Sequence, residues 1–260
     1  MNQFDAMSIW DKTLANNTPE QIQYAAANGF ADKLWTVGDK TAEISIGAVG
    51  NMPATSACAF IIGFDHNSYI EGTGIHFQFG KTTSGTDIAF VDSGFGLTHT
   101  SGTWFSMNNE SSSIGGWESS RMRTVICPLF LSALPLDWQN IISETTKYTD
   151  NTGTSYGFDY HVTSTSDKIF LLAEYEVNGS RTYANTTEQN YQKQYDYYKN
   201  GSSKVKYKHN STSNVCTWHL RSISIYESDE TDFCRIESNG QASYNLANAS
   251  SGFAPAFRVA

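Results

Sequence analysis

The apolar residues between positions 55 and 79 are arranged as a sheet requires. Ala57–Phe64 is a continuous apolar run containing Gly63, short enough for a buried strand, and Ile75-His76-Phe77-Gln78-Phe79 alternates strictly. The two are expected to pair locally across a turn at Asp65-His66-Asn67. Upstream, Leu34-Trp35-Thr36-Val37 and Ala42-Glu43-Ile44-Ser45-Ile46 also alternate, separated by Gly38-Asp39, and read as strand, turn, strand. Residues 18–28 carry helix punctuation instead: Thr18 as cap, Pro19 in the first turn, Gln21 completing a capping box and Gly29 as the left-handed stop.

From 80 to 118 no period holds, and a long ordered loop anchored by Trp104, Phe105, Met107 and Trp117 is expected. Ser119 to Ile142 reads as one helix broken at Pro128 or Pro135, with its second part near 136–143. Lys168 to Val177 reads as a strand. Asn185 to Glu188 offers the cap of a helix that stops at Gly201, with Tyr191, Tyr195 and Tyr198 on one face, a stripe better suited to a core than to a carbohydrate platform. Trp218–Ile225, Phe233–Ser238 and Ala254–Val259 read as strands, and Asn239-Gly240 as a type I′ hairpin turn. Helices and short antiparallel strands joined by long loops, without an internal repeat or a linker, indicate one α+β domain.

Composition sharpens this picture. At 260 residues a single core buries roughly 70–75% of the unfolded surface, so no disulfide is needed for folding. Aromatics reach 13% while charged residues stay at 17%, leaving Ser, Thr, Asn, Gly and Tyr to fill the rest. A net charge of −9 without any basic run excludes a general nucleic-acid binder. Cys58, Cys127, Cys216 and Cys234 lack the spacing of a zinc ribbon or thioredoxin-like motif and are expected free and buried, with a Cys216–Cys234 bridge as the alternative. Neither a signal peptide nor a run of about 20 apolar residues is present, so no membrane insertion is expected.

The candidate chemistry is thin. Glu174 and Glu176, two apart on the expected strand, would share a face and could act as an acid/base pair, although carboxylates holding loop backbone explain them as well. Asp65, His66, Glu71 and His76 have metal-capable side chains, but their spacing fits no standard zinc motif, and a surface or loop-tethering role is preferred. Arg121 and Arg123 are expected to satisfy loop carbonyls or to pair with Glu174 and Glu176. No nucleophile elbow, P-loop or dinucleotide fingerprint occurs. Neither catalytic residues nor a cofactor or metal is therefore assigned. The stretch from Trp218 onward differs: a scaffold-like frame (Trp218, Leu220, Phe233, Pro255, Phe257) encloses a breaker-free filling of mixed chemistry at 223–232, the composition of a displayed surface.

Taken in order, Trp35-Thr36-Val37-Gly38-Asp39, Ile62-Gly63-Phe64-Asp65-His66-Asn67, Gly115-Gly116-Trp117-Glu118-Ser119-Ser120-Arg121-Met122-Arg123, Lys147-Tyr148-Thr149, Phe170-Leu171-Leu172-Ala173-Glu174-Tyr175-Glu176, Trp218-His219-Leu220-Arg221-Ser222 and Gly252-Phe253-Ala254-Pro255-Ala256-Phe257 resemble an uncharacterised family common in phages and prophages of gut bacteria. The resemblance runs from about residue 30 onward, leaving 1–30 as a helical lead-in packed on a 31–260 domain. It implies the C-type lectin fold in its formylglycine-generating-enzyme-like branch, which also serves the variable proteins of diversity-generating retroelements. In those proteins the Trp-x-Leu-Arg-Ser and Gly-x-x-Pro-Ala-Phe strands hold a surface diversified by mutation at adenines, here about 216–258. The Pro that usually follows Leu-Arg-Ser is Ile223 in this chain, and the paired active-site cysteines of the branch's oxidases have no counterpart.

The resemblance implies a ligand-binding surface at His219, Ser222, Ile223, Ser224, Ile225, Tyr226, Glu227, Ser228, Asp229, Glu230, Thr231, Asp232, Arg235, Glu237 and Tyr244. All but Glu227, Glu230, Glu237 and Tyr244 belong to the set that AAY codons mutated at adenines can give; the two glutamates at 227 and 230 fall outside that set. The expected role is receptor recognition or adhesion, with a protein or glycan receptor on a bacterial surface as partner, no nucleic acid, and a tail-associated virion or cell-surface location, as a monomer or homo-oligomer. A cell-wall glycan-acting enzyme and a structural virion component without a ligand are the alternatives.

Overall fold

A computed structural model describes residues 10–98, 102–154, 156–226 and 229–260. The architecture is mixed α+β, built on a five-stranded antiparallel sheet in the order Ile44–Ile46, Thr55–Phe64, Ile75–Lys81, Ala256–Val259, Ile142–Ser143. The expected pairing of the two apolar runs is present, with register shifts after Cys58 and after Ile61 that bend the pair. Phe257 stands opposite Phe77 in the ladder, and their rings stack at 5.2 Å. Phe79 and Phe130 extend this aromatic core, with ring centroids 5.1 Å apart. The core is continuous from the helix Pro19–Ala27 to strand Ala256–Val259.

That helix carries the expected capping box, Thr18 with Gln21, and ends at Gly29, whose φ of +67° suits glycine. Residues 34–37 do not form a strand and do not pair with 255–259. Ala31–Leu34 closes a helical turn instead, and the neighbours of strand Ala256–Val259 are Ile75–Lys81 and Ile142–Ser143. The reason is tertiary: the Trp35 ring is buried and its indole Nε1 donates to Asp11 O at 3.1 Å, which turns the chain before it can extend.

Three smaller sheets surround the core: Thr145–Asp150 with Val162–Asp167; Ile88–Ala89 with Lys206–Lys208 and Ser211–Cys216; and Trp218–Ile223 with Asp232–Ile236 and Ala242–Leu246. The 80–118 stretch is mainly loop, and Phe105, Met107 and Trp117 bury completely as its anchors. Arg121 tethers that loop by donating to the carbonyls of Gly102 (2.6 Å), Trp104 and Ser106 (2.8 Å), and burial lowers its pKa to about 10. Arg123 pairs with Asp167 at 2.6 Å, not with Glu174 or Glu176.

The helix over 119–142 is interrupted at Pro135, not at Pro128. A π turn at Met122–Ile126 feeds directly into helix Cys127–Ser132, where Pro128 occupies the first turn and needs no donor. Two further expectations fail. The 168–177 stretch is extended only as far as Ala173, and Glu174–Asn178 is a helix stopped by Gly179 at φ +67°. Tyr191, Tyr195 and Tyr198 do not share one helix, because the Tyr195 N–H is taken by Glu176 O and the Tyr191 carbonyl by the Asn67 side chain. Tyr195 and Tyr198 are nevertheless buried, as a core role requires.

The Asn239-Gly240 hairpin is not type I′. Gly240 N donates to Glu237 O, only Gly240 of the two has positive φ, and the three-residue loop is a type I turn followed by a left-handed glycine. All four cysteines are free and buried. Among the described residues no helix is long and apolar enough to cross a membrane.

Candidate functional site

Two concentrations of chemistry stand out, one inside the molecule and one on its surface. The inner one gathers Glu71, Glu176, His66 and His76. Arg221, fully buried, donates to both oxygens of Glu176 at 2.5 and 2.8 Å and to Thr149 Oγ1 at 2.8 Å. Lys147 reaches Glu71 Oε2 at 2.5 Å, Glu176 Oε1 at 3.2 Å and the Tyr195 hydroxyl at 2.8 Å. Two buried carboxylates are thereby matched by two buried cations. Burial opposes charge on Glu176, yet Arg221 and Lys147 hold its pKa well below the usual carboxylate range.

His66 packs its ring on Tyr195 at 3.7 Å, and burial, followed by the nearby Lys147 charge, lowers its pKa to about 3. His76 is likewise held neutral, chiefly by burial. Donor atoms of His66, Glu71 and Glu176 lie within 4.8 Å of one another. The Lys147 ammonium, however, stands where a cation would bridge the two carboxylates, and Glu176 already spends both oxygens on Arg221. The cluster carries its own counter-ions.

Glu174 and Glu176 do not work as a pair. Helical geometry turns them apart, and Glu174 accepts from the backbone N–H of Thr182 (3.0 Å), Tyr183 (3.0 Å) and Ala184 (2.8 Å). Glu174 is therefore a clamp on the 182–184 loop. That loop leads to the second concentration.

The strand Trp218–Ile223 is buried along its whole length, so alternation does not send His219 to solvent. Trp218 and Leu220 belong to the apolar core, and the His219 ring lies against the 105 loop and the 251 segment. The His219 Nε2 sits 3.0 Å from Phe105 O and 3.2 Å from Ser251 N, and burial lowers its pKa to about 4. Ser222 is also internal, donating to Glu188 Oε2 at 2.6 Å and accepting from Glu174 N at 3.2 Å. Ile223 is a core residue, and Ser224 and Asp232 are buried where the strand turns, linked by Ser224 N to Asp232 O. These five positions hold the frame and have no surface to offer a ligand.

The remaining described positions lie at or near the surface. Tyr226 is 66% exposed and Asp229 is exposed; Ile225, Glu230, Thr231, Arg235, Glu237 and Tyr244 are half-buried. Glu227 and Ser228 lie outside the described residues. Arg235 pairs with Glu237 at 2.7 Å. Glu230 holds a left-handed backbone, φ +57°, that an L side chain rarely adopts.

Sequence reasoning missed Tyr183, which completes an aromatic cluster with Tyr244 at 5.0 Å and Tyr226 at 5.6 Å. Its backbone is fixed from both sides, by the Glu174 carboxylate and by Ile225 N donating to its carbonyl at 2.9 Å. No local pattern marks Tyr183; the only available signal was Glu174, whose partners could not be named from one strand assignment. The cluster presents ring faces, hydroxyls and nearby carboxylates on a rigid frame, the ingredients of recognition.

The profile of a family described as a domain of unknown function, DUF6273, matches residues 100–260, more than half of the chain. No curated protein and no solved structure matches it.

Proposed function

Taking as premise that the chain belongs to the DUF6273 family, we propose that it is a ligand-binding protein, presenting a variable surface on a scaffold of C-type lectin type for receptor recognition or adhesion by a phage or prophage. The observation that carries this reading is the Tyr183, Tyr226 and Tyr244 cluster, set on a frame whose Trp218, Leu220, Phe233 and Ile236 are almost fully buried. Substitutions on such a surface cost little folding energy, usually within about 0.5 kcal/mol, whereas the frame beneath tolerates few.

The binding set is Ile225, Tyr226, Asp229, Glu230, Thr231, Arg235, Glu237 and Tyr244, with Tyr183 added and the five buried positions removed. The partner is a protein or glycan receptor on a bacterial surface, and the protein acts at the virion tail or the cell surface. A glycan-cleaving role is disfavoured because Glu174 and Glu176 are both engaged in internal contacts.

The test adds fluorescently labelled protein to a panel of gut bacterial isolates, read by flow cytometry, beside a Tyr226→Ala/Tyr244→Ala double variant. Labelling of some isolates, lost in the variant at unchanged melting temperature, is the expected result. Labelling of none, or labelling that the variant retains, overturns the proposal. Sequencing the flanking DNA supplies the genetic half: a reverse-transcriptase gene and a near-copy of the 216–258 coding segment differing at adenines are expected.

A further inference from the structure

Among the described residues, six of the thirteen exposed large apolar side chains fall in segments that touch one another. Ile114, Tyr156, Phe158, Tyr160, Tyr226 and Leu246, each 37–74% exposed, belong to segments that meet at one end of the molecule. Backbone hydrogen bonds tie these segments together. Ser113 N donates to Glu230 O at 2.8 Å, Gly115 N to Thr152 O at 2.8 Å, and Ile225 N to Tyr183 O at 2.9 Å. The Asn185 side chain holds Phe158 O at 3.1 Å, and Asp232 stands opposite Leu246 in the ladder. A Cβ added at Gly157 would lie 2.8 Å from Ile225 Cδ1, so the aromatic loop 156–160 packs directly against the start of the 225–231 segment.

Within that loop the rings of Phe158 and Tyr160 stack at 5.4 Å with an interplanar angle of 8° and remain half or more exposed. A ring pair left in water at this cost in apolar surface is the kind of patch that marks an interaction site. The charge around it is mostly negative, with Arg181, two residues before Tyr183, as the exception. The segments 108–115, 151–160, 225–231 and 241–247 contain Glu110, Asp159, Asp229 and Glu230 among their acids and no Lys or Arg. The closest arginine in the neighbouring strand, Arg235, is neutralised by Glu237.

We infer that the binding surface extends beyond the 225–244 positions onto the loops 112–115 and 151–160, and that it takes a protein partner whose contact surface presents lysine and arginine side chains. This rests on the reading of the chain as a ligand-binding protein. Exposed rings attract cations through their negative faces. The carboxylates between them outnumber Arg181 and add a net negative field that steers a cationic partner and weakens with salt. Tyr226 and Tyr244 then form one half of the patch and Phe158 and Tyr160 the other, the second half lying outside the 216–258 segment.

The test uses a biotinylated decapeptide of alternating Lys, Arg and Ser, with Glu-for-cation and all-neutral counterparts, captured on a sensor surface and read by interferometry at low salt and in 0.5 M NaCl. The expected result is capture of the cationic peptide alone, weakened about tenfold by salt and about tenfold by either Phe158→Ala/Tyr160→Ala or Tyr226→Ala/Tyr244→Ala. Tyr160→Ala alone, at a 74% exposed position, repeats the test with little folding risk. Equal capture of the neutral or anionic peptide, or none of the cationic one, overturns the inference. Weakening by the Tyr226/Tyr244 variant but not by the Phe158/Tyr160 variant confines the surface to the 225–244 positions, which sinks the extension and leaves the proposed function standing. Indifference to both variants sinks the two together.

Discussion

The inner cluster around Arg221 and the outer face around Tyr226 are built from similar residue types, carboxylates and tyrosines, and behave in opposite ways. Inside, Glu176 meets Arg221 and Lys147 at 2.5–3.2 Å, and Tyr195 is buried beside them. Outside, Tyr226 and Tyr160 are 66% and 74% exposed, and the acids of their segments have no basic residue within those segments. Matched charge at zero exposure fixes a position; unmatched charge beside open rings leaves interactions unmade until something arrives. The difference teaches that the same residue types build a closed frame where their partners are internal and an open face, the proposed binding surface, where they are not.

The comparison predicts where substitutions hurt. Removing one partner from a buried ion pair strands the other, so Arg221→Met should cost about 3–5 kcal/mol, and Trp218→Ala and Phe257→Ala should cost a similar amount as core truncations. Denaturant midpoints measure this, and an Arg221→Met protein as stable as the parent would erase the distinction between the two regions.

A smaller effect separates frame from surface by pH. Burial depresses the His219 pKa from 6.5 to about 4, so the folded state resists the proton that the unfolded chain takes up below 6.5. The stability from keeping His219 neutral is complete above pH 6.5 and is lost as the pH falls toward 4, on the order of 3 kcal/mol. Burial of Glu188 raises its carboxyl to about 7 and opposes part of this trend, so the informative quantity is the difference between parent and His219→Gln. Melting temperatures at pH 7.5 and 4.5 should converge for the variant relative to the parent; parallel acid losses would mean His219 is not held neutral.

The smallest effect belongs to the surface itself. Tyr226→Ala and Asp229→Ser should each change stability by well under 1 kcal/mol, measured in the same denaturant series. A cost matching that of Trp218→Ala would assign Tyr226 to the frame.

Much of the frame was legible because its signals are local. The capping box at Thr18 and Gln21, the apolar run to Phe64 and the alternation over Ile75 to Phe79 each require only neighbouring residues. The failures share a cause, which is a distant group claiming a side chain. Trp35 turns the chain toward Asp11, and Glu174 and Glu176 enter a helix whose carboxylates are spent on residues 182–184 and on Arg221. At the candidate site, Trp218 and Leu220 are buried as the frame requires, but His219, expected at the binding surface, is buried too, because strand Trp218–Ile223 is covered on both faces. A period of two tells faces apart and is silent on whether both are covered.

The sheet order carries a consequence for synthesis. Strand Ala256–Val259 lies between Ile75–Lys81 and Ile142–Ser143 and supplies the stacking partner of Phe77. Nearly two hundred residues separate the paired positions Phe77 and Phe257, so a ribosome must release the whole intervening chain before the principal sheet can close. Closure of the principal sheet therefore waits for the 256–259 segment, and a frameshift or stop codon anywhere in the intervening coding sequence removes the strand that completes the core. Such a product would go to proteases, while in-frame changes confined to the outer face would pass.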